Sequence, residues 1–360
     1  MKLKIYKTYI LKSYLYYFFI VSLIFVLLSF FLNILEEIAF FEKYEVGIYY
    51  PILLTFLNTP SILFEIFPFI FLISSQLFFI KFQENEEINL LKVTGIDNFS
   101  LIRLLIYLSL IMGIIITILF YTFSSNLKHN YLLIKNKFTD DNKYLAAIND
   151  NGLWIKDEYE NNIYIINADE FIKNKLKNVT INQLDSEFNL KSIIISKQAE
   201  IDNKEWKLEK VKIFFDNGKK EILENLIINT NFNREKLNSI FSNLTSLNLL
   251  QLINLSEDYK KLGLSNIEIK SHLYKLYSFP ILISIMATIG SILILSFNHK
   301  RSKFINLSLG ILSSVVIYYI NYFFNLLGLT EKTSILLSIC SPLIILILFS
   351  FILLVRINEK

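Results

Sequence analysis

The chain has 360 residues, of which 53% are apolar, and a formal net charge of +4. The apolar residues lie in two blocks near the ends, whereas residues 124–273 contain 21 basic and 21 acidic side chains. This distribution excludes a wholly soluble enzyme, and the neutral central block excludes a nucleic-acid-binding protein. The single cysteine, Cys340, excludes a disulfide framework and a cysteine-based metal site.

Six apolar stretches are long enough to cross a membrane, because a spanning helix needs about 20 apolar residues. They are Tyr14–Leu35, Pro60–Ile80, Leu101–Phe123, Tyr274–Phe297, Phe304–Leu327 and Ile335–Val355. We expect Pro60 to break the long apolar run from Pro51 to Ile80, leaving Tyr49–Leu57 as an interfacial segment. The first stretch is too long for a cleaved signal peptide, and we expect it to be retained as a helix.

Lysine and arginine residues near the ends of the spans predict the orientation. Twelve lie on one side, whereas the short loops of the other side carry only Lys43 and Lys332. This asymmetry predicts that both termini are cytoplasmic and that the central block lies outside. The predicted domains are therefore 1–123 with three spans, an outside domain at 124–273, and 274–360 with three further spans.

The central block changes to the period of two that is typical of β-strands. The predicted strands are Tyr144–Ile148, Leu153–Lys156, Ile163–Ala168, Val179–Leu184, Leu190–Ile201, Trp206–Phe215 and Glu221–Ile228. A last amphipathic segment, Leu247–Leu262, precedes Gly263 as its expected C-cap. The predicted fold is an α-helical membrane protein with six transmembrane helices and an inserted all-β domain, resembling a sandwich, jelly roll or open barrel.

No motif for phosphate binding, nucleophilic catalysis or zinc hydrolysis is present, so we predict no catalytic residue and no metal site. The histidines His129, His272 and His299 are interpreted as interfacial polar residues. Glu65 is the only ionisable residue that this pattern places inside a span, about 7 Å from its outer end. We interpret Glu65 as structural or interfacial, and its isolation argues against a secondary transporter.

The loop between the second and third spans predicts a short helix. It has acidic residues at its start, Lys92 near its end and Gly95 as a stop signal. Ile88 and Leu91 would form an apolar stripe able to enter a groove of a partner. A solvated connector is the alternative interpretation.

Several features, in their order along the chain, resemble the LptF/LptG (YjgP/YjgQ) permease family of the lipopolysaccharide exporter. They are Glu87 followed by Gly95 eight positions later, the paired Pro60 and Pro68, the run Gly152-Leu153-Trp154, Ala199 with Trp206-Lys207-Leu208, and Gly263 with Pro280. The Gly152-Leu153-Trp154 run resembles LptG more than LptF.

The resemblance implies an ABC-type exporter of the bacterial inner membrane. Its partners would be an LptF-like permease, a dimeric LptB-like ATPase, and LptC-like and LptA-like periplasmic bridge proteins that receive lipopolysaccharide from a periplasmic jellyroll. ATP would be hydrolysed by the partner, so this chain would bind no cofactor. The coupling helix at 84–95 would contact the ATPase through Glu86, Glu87, Leu90, Leu91, Lys92 and Gly95. The first and fifth spans would form a lateral gate.

One departure from the family concerns the outer end of the first span, where cations are expected for the phosphates of the lipid. This chain has Glu36, Glu37 and Glu42 there, and only Lys43 is basic. Lys43 and Glu65 are the candidate substrate-binding residues.

Three rival functions remain open at this point: the LptF-type subunit of the same exporter, a membrane-anchored periplasmic scaffold, and a secondary transporter. Co-purification of an ATPase would separate an exporter from a scaffold. Uptake that depends on Glu65 without an ATPase would indicate a secondary transporter.

Overall fold

The computed structural model describes residues 2–44, 46–135, 137–138, 153–159, 162–172, 175–185, 189–202, 205–215, 218–230, 243–261, 265–296 and 303–358. The chain divides into a helical unit, Met1–Tyr131 with Ile267–Lys360, and a β unit, Leu132–Asn266. The predicted strand Tyr144–Ile148 and the predicted C-cap Gly263 lie outside the described residues.

The described part of the chain contains six helices that are long and apolar enough to cross a membrane, which confirms the predicted number of spans. The helices are α1 (Lys2–Phe41), α2 (Tyr49–Glu84), the short α3 (Glu87–Val93), α4 (Asn98–Ile115), a π-helical segment (Ile116–Phe120), α5 (Tyr121–Lys135), α6 (Leu249–Lys261), α7 (Ile267–Ser296), α8 (Lys303–Leu329) and α9 (Ile335–Asn358). A single turn of 3-10 helix, Leu244–Ser246, precedes α6.

The predicted break at Pro60 is wrong, because α2 is one continuous helix of 36 residues with Pro60 and Pro68 inside it. A proline removes one backbone donor, and membrane helices tolerate that loss where neighbouring helices and hydroxyl side chains supply compensating contacts. Most of the apolar part of α2 is buried within the protein. Thr55 and Thr59 donate hydrogen bonds to the carbonyl oxygens of Pro51 and Thr55, at 2.7 and 2.6 Å, in the turns before Pro60, whereas the carbonyl that Pro60 leaves without a helical donor is that of Phe56.

The third span is longer than its apolar letters suggest. Helix α4, the π-helical segment and α5 form one helical run that continues to Lys135, beyond the predicted end at Phe123. The run brings Lys128 and Tyr131 onto a membrane helix. A single π-helical turn inside an α-helix often marks a functional position.

Small residues allow the helices of this unit to approach closely, as is common in membrane bundles. A Cβ atom on Gly290 of α7 would lie 2.4 Å from the carbonyl oxygen of Leu72 in α2, and one on Gly113 of α4 would lie 2.8 Å from the Cα atom of Pro280. Helices α2 and α7 are accordingly the most buried of the six. They form the centre of the helical unit.

The β unit confirms the predicted inserted β domain. Its strands are β1 (Leu153–Tyr159), β2 (Asn162–Ala168), β3 (Glu170–Ile172), β4 (Lys175–Leu184), β5 (Leu190–Asp202), β6 (Glu205–Phe215) and β7 (Lys220–Asn229). They form one antiparallel sheet in the order β1-β2-β4-β5-β6-β7, and the short β3 pairs with the first residues of β4. Trp206 is the largest side chain in the core of the sheet and is fully buried.

In three adjacent strands, two residues separate neighbouring buried side chains at one point, where strict alternation would leave only one. The buried side chains on either side of this point are Leu176 and Val179 in β4, Ser196 and Ala199 in β5, and Leu208 and Val211 in β6. We call this line across the sheet the crease. The residues inside the crease lie side by side, since Lys177 pairs with Gln198 and Gln198 with Glu209. The strands stay in register across the crease, with equal numbers of residues on both strands between the flanking pairs, so it is an aligned change of face and not a β-bulge.

Two residues at the crease have left-handed backbone conformations, Asn178 with φ +50° and Lys210 with φ +54°. Asparagine adopts this conformation readily, but a lysine there costs about 1–2 kcal/mol. The crease therefore places a strained lysine in the middle of β6.

Candidate functional site

The α3 segment connects two membrane helices and has a fixed geometry. Helix α2 ends at Glu84, Glu86 takes a left-handed conformation with φ +58°, and α3 then begins at Glu87. The reversal at Glu86 is why α3 is separate from α2, where the sequence predicted one short helix over 84–95. Asn85 Nδ2 donates to Glu87 Oε1 at 3.0 Å, and Glu87 lies beside Tyr9 of α1.

The end of α3 is fixed by a Schellman motif. Gly95, with φ +85°, donates its N–H to the Lys92 carbonyl oxygen at 2.9 Å, and Ile96 donates to that of Leu91 at 3.0 Å. Asp97 then caps α4 by accepting a hydrogen bond from the Ser100 N–H at 3.1 Å. Hydrogen bonding to Ser100 holds the pKa of the Asp97 carboxyl below its usual range. Gly95 is therefore the stop signal that its position in the sequence predicts.

The apolar residues that α3 presents to solvent differ from the predicted stripe. Ile88 is only 5% exposed and therefore packs within this chain, and Leu91 is half-buried. The exposed apolar pair is Leu90, at 65%, and Val93, at 88%. These two side chains are three positions apart and lie on one face of the helix.

The other predicted residues of this segment are accessible. Glu86, Lys92 and Gly95 are exposed, and Glu87 is half-buried. The segment thus combines a two-residue apolar patch with flanking charges of both signs.

A buried polar cluster ties α1, α2 and α5 together far from α3 along the chain. Asn58 Nδ2 donates to Asn33 Oδ1 at 2.9 Å, Lys128 Nζ donates to Asn58 Oδ1, and Tyr131 OH donates to Glu37 Oε1 at 2.8 Å. Lys128 Nζ also lies 4.5 Å from the centre of the Tyr131 ring. Glu37 is fully buried, so this acidic residue of the first span contacts α5.

Sequence inspection missed this cluster because the third span was predicted to end at Phe123. The available signal was the spacing of its members: Asn33 and Glu37 are four residues apart on α1, and Lys128 and Tyr131 are three apart on α5. Such pairs share one face of a helix.

The two candidate substrate-binding residues lie in different settings. Lys43 is exposed in the turn after α1. Glu65 lies 16 residues from the start of α2, about 24 Å along the helix, because α2 begins at Tyr49 and not at Pro60 as expected. Its predicted isolation is also wrong, because Lys128 and Lys275 both lie within electrostatic range.

Two glutamines join the end of α2 nearest α3 to other membrane helices. Gln76 Nε2 donates to the main-chain carbonyl oxygen of Asn306 in α8 at 3.0 Å, and Gln83 Nε2 donates to that of Ile294 in α7 at 3.3 Å. Gln76 is fully buried against Gly310 of α8, where a Cβ atom would lie 2.0 Å from its Oε1. The absence of a side chain at Gly310 makes room for the Gln76 amide.

We expect Gly310→Ala to lower the stability of the full-length protein in detergent by about 1–3 kcal/mol, because the new methyl group overlaps the Gln76 amide. The Gln76→Ala background removes the overlapping amide, so Gly310→Ala should cost less than half as much there. Melting temperatures of the two single variants and the double variant measure this coupling. Strictly additive effects would show that the two residues do not contact each other.

The comparisons with known proteins identify the family. The model of the lipopolysaccharide export system permease LptF/LptG matches residues 8–356, which is nearly the whole chain. The chain belongs to the LptF/LptG family. No curated protein matches it significantly.

LptF/LptG proteins are permease components of a transporter, which agrees with the multi-pass helical unit described above. The match extends across α1 to α9 and the inserted β unit. Among the described residues, no group of three or more histidine, cysteine, aspartate or glutamate side chains is placed to hold a metal ion.

Proposed function

We propose that this chain is an LptG-type permease subunit that extracts lipopolysaccharide from the inner membrane and passes it through a periplasmic β domain toward the outer membrane. The observation that carries the proposal is the α3 segment, which is fixed at both ends and presents Leu90 and Val93 to solvent. The family match supports lipopolysaccharide as the substrate.

An LptB-like ATPase dimer is proposed to dock on α3, with Leu90 and Val93 in a groove of the ATPase and Glu86, Glu87 and Lys92 around them. Apolar residues of a short helix supply affinity in such grooves, and flanking charges orient it. ATP is hydrolysed by the docked subunit in this proposal, which leaves this chain the role of converting that motion into lipid movement.

The orientation of the chain supports the same assignment. The sequence pattern assigns twelve lysine and arginine residues near the span ends to the side of α3 and only Lys43 and Lys332 to the short loops of the opposite side, which favours a cytoplasmic α3, cytoplasmic termini and a periplasmic β unit. An LptF-like permease would complete the membrane complex, and LptC-like and LptA-like proteins would receive the lipid. Lys43 and Glu65 are proposed to face the lipid, with Glu65 orienting Lys128 and Lys275.

The test replaces the exposed pair on α3 in the full-length protein. We expect the Leu90→Asp, Val93→Asp double variant to reduce the ATPase recovered with a tagged permease at least tenfold, because it removes the apolar contact and adds repulsive charge. Transport of lipopolysaccharide to the outer membrane should fall in parallel.

Asn89→Asp is the matched control, because Asn89 is exposed on the same helix and the change adds charge without removing apolar surface. It should retain most of the association. An unchanged yield of ATPase with the double variant would contradict docking on α3, and the absence of any ATPase from the unmodified protein would favour the scaffold alternative.

A further inference from the structure

Two glutamine side chains lie on the half of α2 that leads into α3. Gln76 and Gln83 are seven residues apart, which places them on nearly the same face of the helix and about 10 Å apart along it. Burying an amide is unfavourable unless it forms hydrogen bonds. Each of these amides donates to a main-chain carbonyl oxygen of a different membrane helix, that of Gln76 to α8 and that of Gln83 to α7. The pair therefore links α2 to both helices by directional contacts.

Gln83 joins α3 to the end of α7. Helix α7 ends at Ser296, and the carbonyl oxygens of the last four residues of a helix have no donor within that helix. Ile294 is one of these residues, and its carbonyl oxygen accepts from Gln83 Nε2 at 3.3 Å. The carbonyl oxygen of Gln83 itself accepts from the N–H of Glu86, the residue before α3, at 3.1 Å. One residue thus contacts both the start of α3 and the end of α7.

Gln76 makes a corresponding contact with the start of α8. Asn306 lies in the first turn of α8, and its carbonyl oxygen accepts from Gln76 Nε2 at 3.0 Å. The other amide atom, Gln76 Oε1, is buried and has no hydrogen-bond donor among the described residues. An apolar side chain of the same length would fill this space without burying an unpaired oxygen, so packing alone does not require an amide here. What the amide adds is a fixed position of α8 along α2.

Hydrogen bonds to single carbonyl oxygens restrict a movement that apolar packing allows. Apolar contacts are non-directional, and packed helices slide past one another in shear movements. A donor bound to one carbonyl oxygen opposes such sliding, because a shift along the helix breaks the bond. Gly290 lets α7 lie close against Leu72 of α2, whereas Gln83 and Gln76 fix how far along α2 the two neighbouring helices lie. The cytoplasmic end of α2 thus holds α7 and α8 in register with α3.

We propose that Gln76 and Gln83 are positioning residues of the permease, which make α7 and α8 follow α3 when the docked ATPase moves it. The proposal rests on the proposed function, since it assigns the contacts that carry the movement from α3 into the membrane helices. Without the two amides, α3 still binds the ATPase, but α2 slides against α7 and α8. ATP is then hydrolysed with little movement of lipid.

The test uses the full-length protein in its membrane complex with the ATPase. Methionine is similar in length to glutamine and fills irregular apolar space, so we expect the Gln76→Met, Gln83→Met double variant to fold. It should retain ATPase association and ATP hydrolysis within twofold, while the lipopolysaccharide transported per ATP hydrolysed falls at least fivefold. Its melting temperature should not fall. A transport ratio within twofold of that of the unmodified complex would overturn the proposal, as would a reduced ratio accompanied by a lower melting temperature.

Single changes at Gln83 separate the hydrogen-bond donor from the size of the side chain. The ammonium of Gln83→Lys can donate in place of the amide and is favourable at the negative end of the α7 dipole, so the transport ratio should stay within twofold. Gln83→Glu has nearly the shape of glutamine, but its carboxylate cannot donate, and the ratio should fall at least fivefold. Asn89→Asp adds the same charge on the exposed face of α3 and should change the ratio less than twofold. Equal ratios for the lysine and glutamate variants would overturn the role of the donor.

A distance measurement that needs neither ATPase nor lipid separates this proposal from the proposed function. Spin labels at Asn89 and Phe304, which are both exposed, report the position of α3 relative to α8. We expect the distance distribution of the detergent-solubilised protein to be at least twofold broader in the double methionine variant. Equal widths would overturn the positioning role alone. A broader distribution together with no ATPase bound to the unmodified protein would overturn the proposed function and, with it, the transmission of movement from α3.

Discussion

Gly290→Ala should prevent most of the full-length protein from reaching its folded state. The added Cβ atom would lie 2.4 Å from the carbonyl oxygen of Leu72, 3.1 Å from its carbonyl carbon and 3.2 Å from its Cα atom. All three are backbone atoms, so the overlap is relieved only if α7 moves away from α2. Overpacking in a well-packed core costs about 1–3 kcal/mol, and we expect this substitution to reach at least the top of that range because it displaces a helix.

The measurement is the yield of monodisperse protein in mild detergent, together with its melting temperature. Gly47→Ala is the matched control, because a Cβ atom there has no other atom within 4 Å. It should leave both quantities unchanged. A Gly290→Ala variant as stable as the control would mean that α2 and α7 do not pack as closely as described.

Trp206→Ala should unfold the β unit while the helical unit stays folded. Trp206 is fully buried in the core of the sheet, and removing a large buried aromatic side chain costs about 3–5 kcal/mol. Limited proteolysis of the full-length protein in detergent should therefore cleave first within 132–266. On the proposed function, transport of lipopolysaccharide should be lost with the β unit.

Ile222→Ala provides the comparison, because Ile222 belongs to the same sheet and is 68% exposed. Its protease resistance should match that of the unmodified protein. If Trp206→Ala were equally resistant, the sheet would not depend on its central core residue.

The sequence predicts the spans and most of the strands because both depend on local patterns. Runs of about 20 apolar residues identify the membrane helices, and the alternation in β6 identifies a strand with one wet face. The error at Pro60 has a physical cause: the effect of a proline depends on the helices that pack around it, and these are not visible in a local window. β3 was missed because it has only three residues.

The candidate sites were predicted less completely because they depend on contacts between distant residues. The α3 segment was located by its charges and by Gly95, but the burial of Ile88 follows from packing against the rest of the chain. The crease is harder still to predict. One extra residue between buried positions in a single strand is a common irregularity and predicts nothing by itself. Only the pairing of β4, β5 and β6 shows that three such irregularities lie side by side.

The continuity of α2 has a mechanical consequence for transport. A helix of 36 residues is a rod about 54 Å long, so a tilt of about 5° applied at one end displaces the other by roughly 5 Å. Movement of α3 would therefore reach the opposite face of the membrane without any change in secondary structure. Such a rod must stay straight at Pro60 and Pro68, where the missing backbone donors make bending easiest.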